Sequence, residues 1–296
     1  METTDVAIIG AGPAGIAAAI QLRRYGVNPV VFEKTRIGGL LVNAGWIENY
    51  PGFHEGISGV RLAGLMEAHL GRHKPRVLFE EVLRVGQDGG GFIVECPERA
   101  ISARAVIVAS GTKPRPMESL EIPGAVRERV LYEIYPIMAA RDRRIVIVGG
   151  GDVAFDYALS LGRENDVMIL TRGSAPRCLP LLLERVTAAP RITHMVGVEI
   201  AGIEAGTTGE LALHCTGPEE TLRLRADHLI FAIGRVPDCA FLSADLAAGI
   251  GQGQLPRGLH LVGDVCRGSM RQTAIAVGDG VMAAMRIQEM LREIAQ

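Results

Sequence analysis

The sequence contains few cysteines and no close pair of them. Five cysteines occur among 296 residues, and the two nearest along the chain, Cys215 and Cys239, are 24 positions apart. This spacing excludes a Cys-x-x-Cys redox motif and a cysteine-based metal knuckle. An odd number of scattered thiols is typical of reduced side chains in a cytoplasmic protein, so we predict no metal site.

A strong charge bias and long apolar runs are also lacking. The formal net charge is −2, which provides no global basic field for nucleic acid or an anionic membrane. The longest apolar stretch near the N-terminus, "VAIIGAGPAGIAAAI", follows an acidic start and is interrupted by glycine and proline. It therefore resembles neither a signal peptide nor a membrane span. These absences predict a soluble, cytoplasmic protein without nucleic-acid or membrane partners.

Glycine and the small aliphatic residues are abundant, whereas aromatic residues make up only 4% of the chain. The 37 glycines suit an α/β protein in which tight turns join strands to helices. A length of 296 residues is sufficient for two domains with their own cores. Composition therefore favours a two-domain α/β fold.

The first glycine-rich stretch, "DVAIIGAGPAGIAAAIQLRRYGVNPVVFEK", predicts a strand, a turn, a helix and a second strand. Gly10 allows the tight turn, Gly12 lets a pyrophosphate approach the backbone, and Gly15 lets the helix pack on the strand. The helix N-terminus offers unpaired N–H groups to phosphates. Glu33 ends the second strand, where a carboxylate can accept hydrogen bonds from a ribose. The alternative is a glycine-rich turn without a ligand.

A second stretch, "RRIVIVGGGDVAFDYALSLGRENDVMILTRG", repeats this unit. Gly149, Gly151 and Ala154 occupy the three small-residue positions. Arg172, rather than an acid, follows the second strand, and Arg177 lies five residues later. Since a cation can pair with a 2′-phosphate, this site favours NADP(H) over NAD(H). The alternative for both arginines is a solvated loop charge.

The remaining pattern predicts that the second domain is inserted in the first. We predict a helix over residues 56–74, paired strands at "VLFEEVLRVGQ" and "GFIVECP", and a proline-rich linker at "KPRPMESLEIPG". A late strand ends at Gly263-Asp264 and a helix follows from about Arg271. Asp264 either binds a ribityl or phosphate-side group or caps the helix. The predicted domains are residues 1–113 with 239–296, and the inserted residues 114–238.

Several motifs follow one another in a fixed order along nearly the whole chain: "GAGPAG" with Glu33, "IGGLL", "IENYPGF", "ASGTKPR", "IPG", "VGGGDVA", "AIGRVPD" and "GDVCRGSMRQTA". As a set they resemble the low-molecular-weight thioredoxin reductase superfamily of FAD and NAD(P)H flavoproteins. The resemblance implies two Rossmann-like (three-layer ββα) dinucleotide-binding domains, with the NAD(P)H domain inserted in the FAD domain. It also implies FAD, NADP(H) or NAD(H), and a homodimer.

The same resemblance implies which positions surround each cofactor. Those expected around FAD are Gly10, Gly12, Pro13, Ala14, Gly15, Glu33, Lys34, Gly39, Leu40, Asn49, Val82, Ala109, Ser110, Gly111, Gly263, Asp264, Arg271, Gln272 and Thr273. Those expected around NAD(P) are Gly149, Gly151, Asp152, Val153, Ala154, Arg172, Arg177 and Gly234.

The chain departs from thioredoxin reductases at "VLYEIYPIM". Counting back from Gly149, the family's Cys-x-x-Cys pair falls on Tyr132 and Tyr135, and a phenol can form neither a thiolate nor a disulfide. These tyrosines either stack near the isoalloxazine or serve ordinary packing. Cys266 is the candidate for a substitute thiol near the flavin, and the alternative is a small buried side chain.

"GGGDVAFDYAL" and "GDVC" also resemble the thioredoxin-reductase-like ferredoxin/flavodoxin–NADP⁺ reductases, which lack the cysteine pair. We therefore expect an FAD-dependent NAD(P)H oxidoreductase without a protein dithiol. Ferredoxin or flavodoxin is the leading electron acceptor, and a small-molecule acceptor is the alternative. Two other hypotheses are a disulfide reductase that uses non-standard thiols, and a flavoprotein that no longer uses NAD(P)H, being reduced by ferredoxin or acting as a redox sensor or binding module.

Overall fold

The computed structural model describes residues 1–295. Its strands are β1 (Glu2–Ile9), β2 (Val30–Phe32), β3 (Arg76–Leu78), β4 (Arg84–Asp88), β5 (Gly91–Glu95), β6 (Ala100–Val108), β7 (Thr112–Pro114), β8 (Val130–Leu131), β9 (Arg144–Val148), β10 (Asp166–Thr171), β11 (Ile192–Val196), β12 (Glu199–Ala205), β13 (Leu211–Thr216), β14 (Thr221–Ala226), β15 (His228–Phe231), β16 (Arg235–Pro237) and β17 (Leu259–Leu261). Its helices are α1 (Pro13–Arg24), α2 (Gly59–His73), α3 (Asp152–Leu161), α4 (Pro180–Ala188), α5 (Ala244–Gly251) and α6 (Thr273–Ala295). None of these helices is both long and apolar enough to cross a membrane.

The first compact unit is built on a sheet with the order β3-β2-β1-β6-β5-β4, in which β17 also pairs with β6. β1 is parallel to β2 and to β6, so the carboxyl ends of these strands lie at one edge. Alternate residues of β1 face opposite sides: Val6 and Ile8 contribute to one buried cluster, Ala7 and Ile9 to the other. Burial on both faces explains why the second half of this strand, Val6–Ile9, is a continuous apolar run.

The second unit has a parallel sheet with the order β11-β10-β9-β15-β8 and a separate antiparallel sheet of β12, β13 and β14. Ile145 and Ile147 of β9 join a cluster that includes residues of α3, whereas Val146 and Val148 pack in a cluster with residues of β12–β14. Helix, parallel sheet and antiparallel sheet therefore form three layers. The predicted Rossmann-like α/β class is confirmed.

The domain boundaries differ in two places from those predicted. Within the described residues, the first unit comprises 1–42, 47–113 and 236–295, and the second comprises 43–46 and 114–235. Residues 43–46 belong to the second unit because Asn43 Oδ1 accepts hydrogen bonds from Ile134 N and Tyr135 N, and Gly45 N donates to Asp156.

The return crossing lies at 235/236 instead of 238/239. Asp238 belongs to the first unit because its backbone N donates to Gly111 O at 3.1 Å and its carboxylate lies 3.0 Å from Lys34 Nζ.

Local predictions near the first site were partly wrong in their limits. The helix predicted over 56–74 begins at Gly59, because Ser58 Oγ accepts a hydrogen bond from Arg61 N and caps it. The single strand predicted at "VLFEEVLRVGQ" is divided into β3, which pairs with β2, and β4, which pairs with β5.

Candidate dinucleotide sites

The turn between β1 and α1 is shaped by three glycines with different surroundings. A Cβ at Gly10, where φ is +101°, would lie 2.4 Å from Ala109 O, and a Cβ at Gly15 would lie 1.9 Å from Gly10 O. These two glycines allow close backbone contacts. Among the described residues nothing lies within 4 Å of a Cβ at Gly12. The backbone at Gly12 is therefore open to a ligand.

The start of α1 suits a phosphate group. Gly12 is the N-cap, Pro13 occupies the first turn, and within the described chain no side chain caps this end. The first N–H groups of the helix are consequently available to an anion, which the helix dipole also favours. Gly39, at φ +55°, lies against the same turn, since its Cβ would be 3.2 Å from Gly12 Cα. These observations fit a dinucleotide pyrophosphate.

Glu33 holds this turn in place. Its buried carboxylate accepts hydrogen bonds at Oε1 from Thr35 N at 2.8 Å, Thr35 Oγ1 at 3.2 Å and Arg36 N at 3.2 Å, and at Oε2 from Ala11 N at 2.9 Å. Among the described residues Oε2 accepts this one bond, so it retains capacity for a ribose hydroxyl. Sequence reasoning anticipated the ribose contact and missed the bonds to the turn.

Asp238 forms hydrogen bonds with three predicted FAD residues, Lys34, Ser110 and Gly111. Lys34 Nζ lies 3.0 Å from Asp238 Oδ2, and Ser110 Oγ donates to Asp238 O at 2.5 Å. Burial opposes the charge of Lys34, but the hydrogen bond to Asp238 and the negative charges of Asp238, Glu81 and Glu33 together outweigh it, and the pKa of Lys34 is raised. Asp238, which the sequence did not single out, thus positions the segment after β6, where Gly111 has φ +68°.

The C-terminal part of this site is held by Asp279 of α6. Its buried carboxylate accepts hydrogen bonds from Gly263 N at 3.1 Å and Arg267 Nε at 2.8 Å, and Arg267 keeps the pKa of Asp279 below its usual value. Asn49 Nδ2 donates to Gln272 Oε1 at 2.8 Å, which brings two predicted FAD residues together. Sequence reasoning missed Asp279.

The other predicted FAD residues fall into two groups. Ala14, Val82 and Ala109 are buried and contribute side chains to the core. Leu40, Asp264, Arg271 and Thr273 lie in or beside turns: a 3₁₀ turn at Gly39–Asn43, another at Gly263–Val265, and the start of α6.

The second glycine-rich turn, between β9 and α3, repeats the first. A Cβ at Gly149 would lie 2.6 Å from Ala232 O and 3.0 Å from the Cβ of Ala154, which is itself fully buried. At Gly151 no described atom lies within 4 Å of such a Cβ. The turn therefore has the same open position at the N-cap of a helix.

The loop after β10 is tied to this turn. Asp152 Oδ1 accepts a hydrogen bond from Leu179 N at 2.8 Å, and Arg177 N donates to Gly150 O at 2.6 Å. Val153 is exposed. Gly234, at φ +112°, accepts a hydrogen bond from Arg115 N through its carbonyl at 3.0 Å. Asp152 and Arg177 are thus attached to the turn and its loop, whereas Gly234 is bonded to Arg115.

Arg172 directly follows β10 and is not a free loop charge. Its Nη1 lies 3.6 Å from Glu199 Oε1, with both side chains exposed. Thr171 Oγ1, one residue earlier, donates to Gly149 O at 3.1 Å. Glu199 was not anticipated from the sequence, since it comes from β12.

The two tyrosines at the predicted dithiol positions differ in environment. Tyr132 is half-buried, its hydroxyl accepts a hydrogen bond from Met117 N at 3.2 Å, and its ring centroid lies 5.7 Å from that of Phe231. Tyr132 therefore packs in the core of the second unit. The ring of Tyr135 is exposed, and its backbone N–H donates to Asn43.

All five cysteines are free thiols. Burial raises the pKa of Cys96 to about 11, and it also raises the pKa values of Cys178 and Cys215. Cys266 is exposed, so the alternative of a small buried side chain is wrong for it. Its Sγ donates to Leu261 O and Gly263 O, and partial desolvation of the thiol raises its pKa as well. These four side chains are thus protonated at neutral pH and poorly suited to thiolate chemistry.

Two strand–turn–helix units with open glycine N-caps define a protein that binds two dinucleotides. The chain belongs to the pyridine nucleotide-disulphide oxidoreductase family, whose model matches residues 4–280. It is 33% identical over 308 residues to a thioredoxin reductase of Mycolicibacterium smegmatis, covering 98% of this chain and 97% of the relative. It is 31% identical to a thioredoxin reductase of Streptomyces clavuligerus, covering 99% and 96%.

Among solved structures, a thioredoxin reductase of Lactococcus lactis matches with a TM-score of 0.88 and 27% identity, covering 98% of this chain and 99% of that one. The protein is accordingly an NAD(P)H-linked, FAD-dependent oxidoreductase, as expected from the sequence. The more specific expectation of a ferredoxin/flavodoxin reductase finds no support in these relatives, which carry the name thioredoxin reductase.

Proposed function

We propose that this protein transfers electrons from NAD(P)H through FAD to a disulfide outside its own chain. The observation that carries the proposal is the pair Tyr132 and Tyr135, which stands where thioredoxin reductases have their dithiol in a chain otherwise similar to them over 98% of its length. The similarity favours a disulfide acceptor, and the missing pair requires that electrons leave without an internal relay.

Electron entry is assigned to the second unit. Gly151 leaves the start of α3 open for a pyrophosphate, Arg172 follows β10 at the predicted ribose position, and Arg177 is attached to the turn through Gly150 O. These groups bind and orient the nucleotide, and hydride transfer needs no protein acid or base.

The first unit is assigned to FAD. When bound, FAD supplies the chemistry that accepts a hydride and releases two electrons. The chain's own contribution is positional: Gly12 would admit the pyrophosphate, Glu33 holds the turn and would accept from a ribose, and Asp279 holds the turn at Gly263.

Electron exit is to an external acceptor because the thiols of this chain are unsuited to a relay. Cys96, Cys178, Cys215 and Cys266 all have raised pKa values, and the five cysteines are free. Two electrons and two protons convert one acceptor disulfide into two thiols: NAD(P)H supplies both electrons and one proton as hydride, and solvent supplies the second proton. A small redox protein of the thioredoxin type is the acceptor that the relatives' names favour.

The proposal is tested by anaerobic turnover of the holoenzyme with NADPH or NADH against a set of acceptors. These are a thioredoxin-type protein disulfide, a low-molecular-weight disulfide, ferredoxin, flavodoxin and a quinone. We expect thiol formation with a disulfide, at an unchanged rate in Cys266→Ala. Turnover with ferredoxin or flavodoxin but with neither disulfide would contradict the proposal. Loss of activity in Cys266→Ala would show that this thiol takes part in electron transfer.

A further inference from the structure

The second unit places a carboxylate beside its predicted ribose-phosphate arginine. Arg172 Nη1 lies 3.6 Å from Glu199 Oε1. In this fold the residue after the second strand faces the adenosine ribose, where an acid accepts the 2′-hydroxyl of NAD and an arginine accommodates the 2′-phosphate of NADP. Here both residue types are present, the arginine from the end of β10 and the acid from β12.

The position of Glu199 is fixed by the backbone and not only by its ion pair. Val198 N donates to Thr171 O at 3.2 Å, and Gly197 N donates to Gly173 O at 3.0 Å. The segment before β12 therefore runs beside the segment that carries Arg172. Glu199, as the first residue of β12, stays near this arginine even when the two side chains separate.

The ion pair is also connected to the glycine-rich turn. Thr171 Oγ1 donates to Gly149 O at 3.1 Å, so the residue before Arg172 is attached to the turn that would hold the pyrophosphate. Arg177, attached to Gly150 through its backbone, has no ion pair within residues 1–295. Of the two predicted phosphate-binding arginines, only Arg172 has a competing acid.

We propose that Glu199 is a specificity-determining residue that lowers the preference of this enzyme for NADPH over NADH. The inference rests on the proposed function. Glu199 competes with a 2′-phosphate for Arg172 and repels its negative charge, whereas its oxygens can accept a hydrogen bond from the 2′-hydroxyl of NADH. Because both side chains are exposed, the effect is a few-fold change that salt weakens.

The test compares Glu199→Gln with a matched control, Glu204→Gln. Glu204 lies on the same strand, has nearly the same exposure (58% against 60%) and pairs with Arg223 and His214 instead of Arg172. Binding of NADP⁺ and NAD⁺ to each purified holoenzyme is measured by calorimetry at low and high salt. We expect Glu199→Gln to increase the ratio of NADP⁺ to NAD⁺ affinity about five-fold at low salt, less at high salt.

Three results would overturn the inference. The affinity ratio could stay unchanged in Glu199→Gln, it could change without any dependence on salt, or it could change equally in Glu204→Gln, which would indicate a general effect of charge. If the wild-type protein bound neither nucleotide, the proposed function would fail and this inference with it. Binding of a nucleotide with an unchanged ratio would overturn the inference alone.

Discussion

Tyr132 stands where the sequence predicts the first cysteine of the family's dithiol, and its contacts are those of a core residue. The hydroxyl satisfies Met117 N, and the ring lies against Phe231 in a cluster formed by both sheets of the second unit. These contacts show that Tyr132 has a packing role in the second unit.

We predict that Tyr132→Phe destabilises the protein by about 1 kcal/mol, because Met117 N loses its acceptor, and leaves the flavin absorption spectrum unchanged. Denaturant unfolding and the visible spectrum measure the two effects. Tyr25→Phe is the control, since no hydroxyl partner is found for Tyr25 in the described chain. A shifted flavin spectrum without loss of stability would instead indicate stacking on the isoalloxazine.

The Asp279 carboxylate connects helix α6 to the turn at Gly263 and to Arg267. It lies on α6 and binds both Gly263 N and Arg267, so it holds the 3₁₀ turn that contains Asp264. Because Arg267 lowers the pKa of Asp279, the folded state binds this proton less readily than the unfolded state does.

The stability that Asp279 contributes is therefore present above its unfolded pKa, near 3.8, and is lost as the pH falls through the lower folded pKa. We predict that Asp279→Asn is less stable than wild type by about 2 kcal/mol at pH 7, and that this gap narrows below pH 4. Urea unfolding at several pH values measures it, with the exposed Asp88→Asn as control. A gap that stayed constant with pH would contradict the assigned ion pair.

At the scale of elements, each strand–turn–helix unit has some positions that serve packing and others that are open to a ligand. Gly15 lies where α1 crosses the turn, whereas Gly12 and Gly151 face open space and have φ of −75° and −106°, which any residue can adopt. The same turn thus contains one position needed for packing and another needed for a ligand.

We predict that Gly12→Ala leaves the stability of the apoprotein nearly unchanged but weakens FAD binding about tenfold or more, because the methyl group occupies the phosphate position. Gly15→Ala should cost about 3 kcal/mol of stability, since its Cβ would meet Gly10 O at 1.9 Å. Gly151→Ala should keep FAD and lose NAD(P)⁺ affinity. Thermal melting and cofactor titration separate these results, and equal effects of the Gly12 and Gly15 substitutions on stability would contradict the assignment.

The glycine-rich turns and their strands could be predicted because their signals are local. The contacts that complete the sites are not local: Asp279 meets Gly263 across 16 residues, and Lys34 meets Asp238 across 204. Periodicity does not identify such partners. The sequence did contain a signal for the sheet of β12–β14, since "TLRLRA" alternates polar and apolar residues as a strand does. The position of this sheet over the parallel sheet depends on tertiary packing.

At the scale of the whole molecule, the two candidate nucleotide sites lie on separate units, each with its own hydrophobic clusters. The chain also contributes residues 43–46 to the second unit from within the first, through the hydrogen bonds of Asn43 and Gly45. The insertion was visible in the order of the motifs. The short segment was not, because it depends on two side-chain contacts.

The central claim is that the flavin is the only redox centre of this protein, and an anaerobic dithionite titration of the holoenzyme tests it most directly. Tyr132 and Tyr135 cannot store electrons as a dithiol, and the five cysteines are unpaired. We predict complete reduction after about two electrons per FAD, as expected for a flavin alone. A requirement for about four electrons per FAD would reveal a redox-active disulfide and contradict the account.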